Sequence, residues 1–485
     1  MIIKNRFTQH CALWAALTCL GGCTGPTVEL DSPAHTAMLE KDRGFAEQAQ
    51  AEQTITLTLD QAMQRGIESN LDARVAAMEI LVSQGNVTLE KIKALPNMTA
   101  SASYSGRDND GATSSRSVLS GLQSLEPSQS SDRDRKSKAL ELNWNLLDIA
   151  LAYADTKKAN EAVRVARERH EKVIQNIERD VYGAYWRAYA HQTTRDRTRD
   201  LISATAGQID NVNLAVSKKL ISADVAGDQV SMLNDRVRTL KELDDRMSLS
   251  EIELKSMLAL PLNSTLVLKA PVGRGQEYKA LLSENLQTQE WEALKARPEV
   301  REEILQKNIT LRDTKREVLA TLPGAELFVG KNYDSNSFLQ DSTWISSSAK
   351  LVQSILNIIT LPERFQAAEQ KQHLADARRQ ALVAAVLAQT SIARERLISR
   401  DSAYQDATRS QKAAQSKASL VGHKKQVGFV SGQSALQARL EHQIENLRQE
   451  FARAEVQDAY AAYMNTLGRR FFRPLDLTKA IGGAS

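Results

Sequence analysis

The sequence predicts a mainly α protein with a small β part. Two long antiparallel helical hairpins are each preceded by a helix and a strand pair, in two copies of one unit. Three observations predict this. Proline is absent from two long windows, the flanking motifs recur at fixed separations, and four intervening segments alternate apolar with polar residues.

Proline lacks a backbone N–H and clashes with the preceding helical turn, so its positions mark where helices stop. The ten prolines leave 128–260 and 363–473 free. Both windows are rich in Ala, Leu, Glu, Gln, Lys and Arg, which form helix readily. Each has one weak point near its middle. In the first it is Lys218-Lys219-Leu220-Ile221-Ser222-Ala223-Asp224, and in the second Gly428-Phe429-Val430-Ser431-Gly432-Gln433-Ser434. Glycine and serine suit a turn between helices. An arm of about 70 residues, at ~1.5 Å each, reaches on the order of 100 Å, too far for a compact globule. On the first return arm Leu233, Leu240, Met247 and Leu254 recur every seven residues. The companion series Val230, Val237, Asp244, Glu251, Leu258 is broken by two acids. This is an imperfect coiled-coil seam, and a plain antiparallel rod would show it equally.

The repeat organises the chain. Asn70-Leu71-Asp72 opens a stretch ending at Ala94-Leu95-Pro96; Arg297-Pro298-Glu299 opens another ending at Thr321-Leu322-Pro323, with 227 residues between Asp72 and Glu299 and between the two end prolines. Farther on the separation becomes 209. Leu142, Leu146, Leu147 and Asp148 match Leu351, Ile355, Leu356 and Asn357; Leu220-Ile221-Ser222 matches Phe429-Val430-Ser431; Met257-Leu258-Ala259 matches Thr466-Leu467-Gly468. One loop longer by 18 residues in the first half accounts for the change, which points to a duplicated unit. The expected organisation is a first unit at 55–260, with strand pair 97–147 and hairpin 148–260. A connecting segment follows at 261–285. The second unit covers 286–470, with strand pair 324–353 and hairpin 362–470, and a tail occupies 471–485.

The strand segments are short. Leu140, Leu142, Trp144 and Leu146 alternate with Glu141, Asn143 and Asn145; Ala100, Ala102 and Tyr104 alternate with Thr99, Ser101 and Ser103. Ile345, Ala349 and Leu351 oppose Ser346, Ser348 and Lys350, while 325–331 is less regular. A soluble hairpin can show such patterns, and a membrane β-barrel needs them in strands of about ten residues. No segment beyond residue 23 has the run of roughly 18 apolar residues that a spanning helix needs. Lipid admits only helices and closed barrels. Four strands cannot close alone, since about eight is the usual minimum. Three copies would supply a 12-stranded membrane β-barrel. The polar segment 107–137 would then be an external loop, facing the short 333–343.

The N-terminus reads as a secretory signal over 1–22, with Lys4 and Arg6 before an apolar run at 11–20. Leu20-Gly21-Gly22-Cys23 resembles a lipobox, with Cys23 as the lipidated residue and 23–54 as the lipidated N-terminal segment; a signal peptide that merely ends near a cysteine is the other reading. Thr24 follows rather than Asp. Similarity to Gram-negative lipoproteins then implies the outer membrane rather than the inner. Cys11, Cys19 and Cys23 are the only cysteines, so the body holds no disulfide framework and no thiolate metal site.

Several stretches together resemble the TolC family of outer-membrane efflux proteins, over about residues 55–470. They are Leu57-Thr58-Leu59-Asp60-Gln61-Ala62 with Asn70-Leu71-Asp72, Leu142-Asn143-Trp144-Asn145-Leu146-Leu147-Asp148, Val181-Tyr182-Gly183-Ala184-Tyr185-Trp186 and Gly428-Phe429-Val430-Ser431. The resemblance implies a homotrimer with a β-barrel in the outer membrane and an α-barrel through the periplasm. It also implies an exit duct for tripartite efflux or type I secretion, working with a periplasmic adaptor and an inner-membrane pump. In the family the hairpin turns form a periplasmic tip gated by rings of Asp. Here those positions hold Ser434 and Gln437, and Val225 and Asp228, with Lys218, Lys219, Asp224, Lys424 and Lys425 beside them. A tip of mixed or basic character follows. The cargo is not legible.

Other classes fit poorly. A net charge of +4, with basic and acidic residues interspersed, gives no reason for a nucleic-acid partner. The seven histidines form no HExxH, and neither a G-x-S-x-G elbow nor a GxxxxGK[ST] loop occurs, so no catalytic residue, metal or cofactor is expected. Tyr182, Tyr185, Trp186 and Tyr189 share one helical face and read as interhelix core rather than a ligand stripe. Their counterparts 209 residues on are Ser391, Arg394, Glu395 and Ile398. A periplasmic coiled-coil lipoprotein, acting as adaptor or scaffold without a pore, is the alternative.

Overall fold

A computed structural model describes residues 29–47, 54–124, 126–271 and 274–471. The signal and the lipobox at Cys23 fall outside these residues, as does the tail from 472.

Helix α1 (Pro33–Glu47) precedes strand β1 (Thr54–Leu57). Helix α2 (Leu59–Ser69) starts in a capping box: the Thr58 hydroxyl accepts from Gln61 N, and the Gln61 side chain accepts from Thr58 N. Helix α3 (Leu71–Ile92) is capped by Asn70, whose side chain accepts from Asp72 N and Ala73 N. Pro96 bars its continuation. Strand β2 (Asn97–Gly106) follows, then a polar loop with the two-residue strands β3 (Ala112–Thr113) and β4 (Ser128–Gln129), then β5 (Asp134–Asn145). Asn145 caps helix α4 (Leu146–Ser217) by accepting from Leu147 N. Its 72 residues span roughly 108 Å at ~1.5 Å rise per residue. Helix α5 (Ala223–Met257) returns.

Strand β6 (Thr265–Leu268) pairs in parallel with β1, joining segments more than two hundred residues apart. Helices α6 (Glu277–Ser283), α7 (Leu286–Ala296) and α8 (Pro298–Leu319) lead to β7 (Gly324–Asp334) and β8 (Thr343–Val352). The short α9 (Ile355–Ile359) precedes α10 (Leu361–Gln426), and α11 (Gly432–Thr466) returns. Pro362 separates α9 from α10, whereas α4, lacking proline, runs on without a break.

Several bounds keep the two separations found in the sequence. Helices α3 and α8 both have 22 residues and start 227 apart, at Leu71 and Pro298. Helices α5 and α11 both have 35 and start 209 apart, at Ala223 and Gly432.

The helices form a wall. Near the sheet their neighbour order is α3, α4, α8, α10; farther away it is α5, α4, α11, α10. Helix α4 runs through both levels. Leu233, Leu240, Met247 and Leu254 of the seam are fully buried. The two acids that break the companion series have partners. Asp244 lies 3.7 Å from His191 Nε2, and Glu251 pairs with Lys255 at 2.9 Å. Burial pushes the Asp244 carboxyl up, and the neighbouring His191 counters part of that rise.

The main core sits at mid-height. Tyr182, Tyr185 and Trp186 are buried there, with Tyr189 packed against them, beside Leu254, Leu258 and Tyr463. Tyr185 Oη hydrogen-bonds the Lys269 carbonyl at 2.6 Å, fastening the β1–β6 pair to α4. Its counterpart Arg394 does the same work with different chemistry: it donates to the carbonyls of Leu282 (2.7 Å) and Glu284 (3.1 Å). Both positions fasten a connecting segment to a long helix, one through a hydroxyl and the other through a guanidinium.

Candidate functional site

Two regions of this architecture bring the sequence-predicted residues together: the sheet and the far turns of the hairpins. The sheet is antiparallel with order β2-β5-β7-β8. Its register places Met98 opposite Leu142, Leu142 opposite Val329, Leu140 opposite Lys331 and Lys331 opposite Ile345. Successive side chains alternate between faces. One face therefore carries Met98, Ala100, Leu140, Leu142, Trp144, Leu327, Val329, Ile345 and Leu351. The other carries Thr99, Ser101, Glu141, Asn143, Asn332, Ser346 and Ser348, with Phe328 and Trp344 as its two large apolar members. Lys331 interrupts the apolar face between Leu140 and Ile345, and Lys138 and Lys136 follow towards the loops.

Among the described residues no layer covers either face. Every residue of β2 is exposed, as are nine of ten in β8. Met98 is 64% exposed, Ile345 74% and Leu351 73%. Strands β2 and β8 also have one unpaired edge each among the described residues. Trp144 Nε1 donates to the Ala94 carbonyl at 3.0 Å, anchoring β5 to the α3–β2 turn. The long loop is tied to the β7–β8 turn: Asp132 accepts from Ser337 N and Oγ, and Arg135 pairs with Asp334.

The far end has two similar turns. Lys219 takes a left-handed φ of 59° after α4, and Leu220 N bonds the Ala215 carbonyl at 2.9 Å. Gly428 takes φ 79° after α10, and Phe429 N bonds the Lys424 carbonyl at 2.8 Å. Both are Schellman terminations. Ser222 and Ser431 then cap the return helices, accepting from Val225 N and Ser434 N. Asp224 lies in the first turn of α5, where the helix dipole favours a negative charge.

The tip residues singled out from the sequence are brought to one end of the hairpins and stay mostly exposed. Lys218, Lys219, Asp224, Asp228 and Ser434 are exposed; Gln437 is half-buried, its amide 3.4 Å from Met232 Sδ. None of the four charged ones forms an ion pair among the described residues. Apolar side chains stand beside them: Leu220 is 72% exposed, Val427 67% and Phe429 81%.

Sequence reasoning missed a clamp at mid-height. Arg470 donates to Glu178 at 2.9 Å and to Glu171 at 3.1 Å; Phe471 N donates to Glu178, and the Phe471 ring stacks on Tyr182 at 4.5 Å. Burial pushes the Glu178 carboxyl up, and the Arg470 hydrogen bonds offset part of this. The Arg-Arg-Phe run after Gly468 was the available signal. Among the described residues no group of three or more His, Cys, Asp or Glu could hold a metal, and no helix is long and apolar enough to cross a membrane.

No family profile matches the chain, and no curated protein matches it in sequence. Solved structures do match. The chain is similar to the CmeC outer membrane channel of Campylobacter jejuni, with TM-score 0.64 and 11% identity over 88% of each chain. It is similar to the open state of the MtrE outer membrane channel of Neisseria gonorrhoeae, with TM-score 0.63 and 14% identity over 85% of this chain and 89% of that one. The outer membrane protein VceC of Vibrio cholerae aligns with TM-score 0.59 and 12% identity, over 85% of this chain and 97% of that one. The mainly helical fold of this chain is thus the fold of outer-membrane channels.

Proposed function

We propose that the chain, sharing the fold of outer-membrane channels, is one protomer of a passive exit duct for tripartite efflux or type I secretion. Three copies join edge to edge, β2 to β8, into a 12-stranded barrel in the outer membrane. Their helices continue as an α-barrel into the periplasm, and Cys23 carries a lipid. The two halves of each protomer derive from a duplicated unit, and the chain is not an enzyme.

One observation carries this reading: a four-stranded sheet with an apolar and a polar face, both bare, and a free strand at each edge. In water such a sheet would expose apolar surface and unpaired backbone groups. In a closed barrel the apolar face meets lipid, the polar face lines the lumen, and the edges pair. A pore-less periplasmic scaffold offers no reason for the apolar face.

At the tip, Lys218, Lys219, Asp224, Asp228, Ser434 and Gln437 stand at the mouth of the duct in a mixed, partly basic ring rather than an acidic one. Exposed Leu220, Val427 and Phe429 offer apolar anchors to a periplasmic adaptor, which couples the duct to an inner-membrane pump. The test is reconstitution. The purified protein migrates as a heat-sensitive trimer and opens discrete conductances in planar bilayers, without strong preference for cations. A soluble monomeric rod after delipidation would refute the duct, and strong cation selectivity would refute the mixed tip.

A further inference from the structure

The repeat carries information about a contact that one chain does not contain. Inside the chain, α8 packs against α4 through ion pairs. Asp313 meets Lys158 at 2.7 Å, Arg312 meets Glu161 at 2.7 Å, and Arg316 meets Asp155 at 2.8 Å. Leu305 of α8 and Val165 of α4 lie on the faces these pairs mark, and each is 4% exposed. Helix α3 is the counterpart of α8 at a separation of 227, and α10 of α4 at 209. Yet α3 and α10 are the end helices of the wall near the sheet. The counterpart contact is therefore missing within the chain, and its residues are bare: Met78 (for Leu305) is 42% exposed, and Leu374 (for Val165) is 52% exposed.

We infer that the seam between neighbouring copies repeats the α4/α8 seam in the same register, with its charges largely removed. Met78 of one copy packs on Leu374 of the next. Asn86 meets Ala367 where Asp313 meets Lys158. Gly85 meets Gln370 where Arg312 meets Glu161, and Leu89 meets Arg364, whose charge is paired with Glu317 of its own chain, where Arg316 meets Asp155. The inference rests on the proposed edge-to-edge assembly and adds its register and chemistry.

The space fits. A side chain added at Gly85 meets nothing within 4 Å in the single chain, and Asn86 and Ala367 are both exposed. The chemistry follows from the two roles. A seam within one chain stays together at any concentration, so its half-buried ion pairs, such as Arg312 with Glu161, need not drive association. A seam between copies has to drive association, which buried apolar area does. The neighbouring charges are complementary as well. Lys91 on α3 and Glu363 on α10 are exposed, form no ion pair among the described residues, and lie at the sheet-proximal ends of their helices.

Cysteine pairs in the full-length protein test the register. Asn86→Cys with Ala367→Cys, treated in native membranes with a short bismaleimide, gives covalent dimer and trimer bands. Leu71→Cys with Ala367→Cys gives none, because Leu71 lies 15 residues from Asn86, about 22 Å along the helix. Crosslinking of the Leu71 pair alone, or of neither pair in an intact trimer, overturns the inference but leaves the assembly standing. A protein found monomeric overturns both. A second arm needs no crosslinker. Asn86→Asp or Ala367→Lys alone lowers the temperature at which the trimer dissociates on gels, and the two together restore it. Failure of the double variant to recover removes the proposed pairing.

Discussion

Replacing Glu299 by Gln tests how α8 is fastened to the wall. Glu299 lies in the first turn of α8 and accepts from Arg297 Nη2 at 3.1 Å and from Lys172 of α4. Burial pushes its carboxyl up, but the hydrogen bonds from Arg297 and Lys172 outweigh this and hold it at about 2, against an ordinary 4.5. A carboxyl depressed in the folded state stabilises fully above its unfolded value, and the contribution is lost as pH falls from about 4.5 to about 2. A gap of two to three units is worth on the order of 3 kcal/mol at neutral pH. The side chain is 25% exposed, so screening trims that figure only moderately. The variant also leaves Arg297, whose side chain is 7% exposed, with Gln389 as its remaining side-chain partner. Denaturant midpoints followed by circular dichroism in detergent read the effect. The variant unfolds at lower denaturant at pH 7, and its deficit shrinks by about half at pH 3. Equal midpoints at pH 7, or a deficit that does not narrow in acid, refute the reasoning.

Leu240→Ala empties a fully buried seam position and costs roughly 2–5 kcal/mol; hydrogen exchange in α5 and α11 should rise while exchange in the sheet stays unchanged. Gly428→Ala places a Cβ on a left-handed residue with open space around it, so it costs about 1 kcal/mol through backbone strain alone. Lys219→Gly relieves the same strain in the other turn, and thermal scans should move in opposite directions for the two variants. Arg470→Ala leaves Glu178 buried without its guanidinium and costs about 3–5 kcal/mol; adding Glu178→Gln recovers part of it in the same denaturation assay.

The long helices were legible because proline and glycine are rare and their effects local. The breaks at 218–222 and 427–431 fall where lysine, glycine and serine interrupt the good helix formers. Strands β2, β5 and β8 were legible by alternation. Strand β7 was harder, because Phe328 falls among the polar alternates and Lys331 among the apolar ones, and its place became plain only from its neighbours β5 and β8. The β1–β6 pairing left no trace, since four-residue strands two hundred residues apart share no local signal. The clamp of Arg470 on Glu178 was hidden for a related reason: its partners are 292 residues apart, and each looks like an ordinary surface charge. At the tip the residue types were readable, but their being unpaired was not, because that depends on which side chains the two turns bring within reach.

The uninterrupted run of α4 has a mechanical consequence. The helix is held at mid-height, where Trp186 is buried, and its last 31 residues to Ser217 form an arm of about 47 Å that packs on α5 and α11, away from the sheet. Tilting that arm by ~5° carries its end sideways by about 4 Å, the width of a small side chain. A bend at mid-height, with the half towards the sheet held between α3 and α8, lets the bundle widen at one extremity while the sheet at the other stays still.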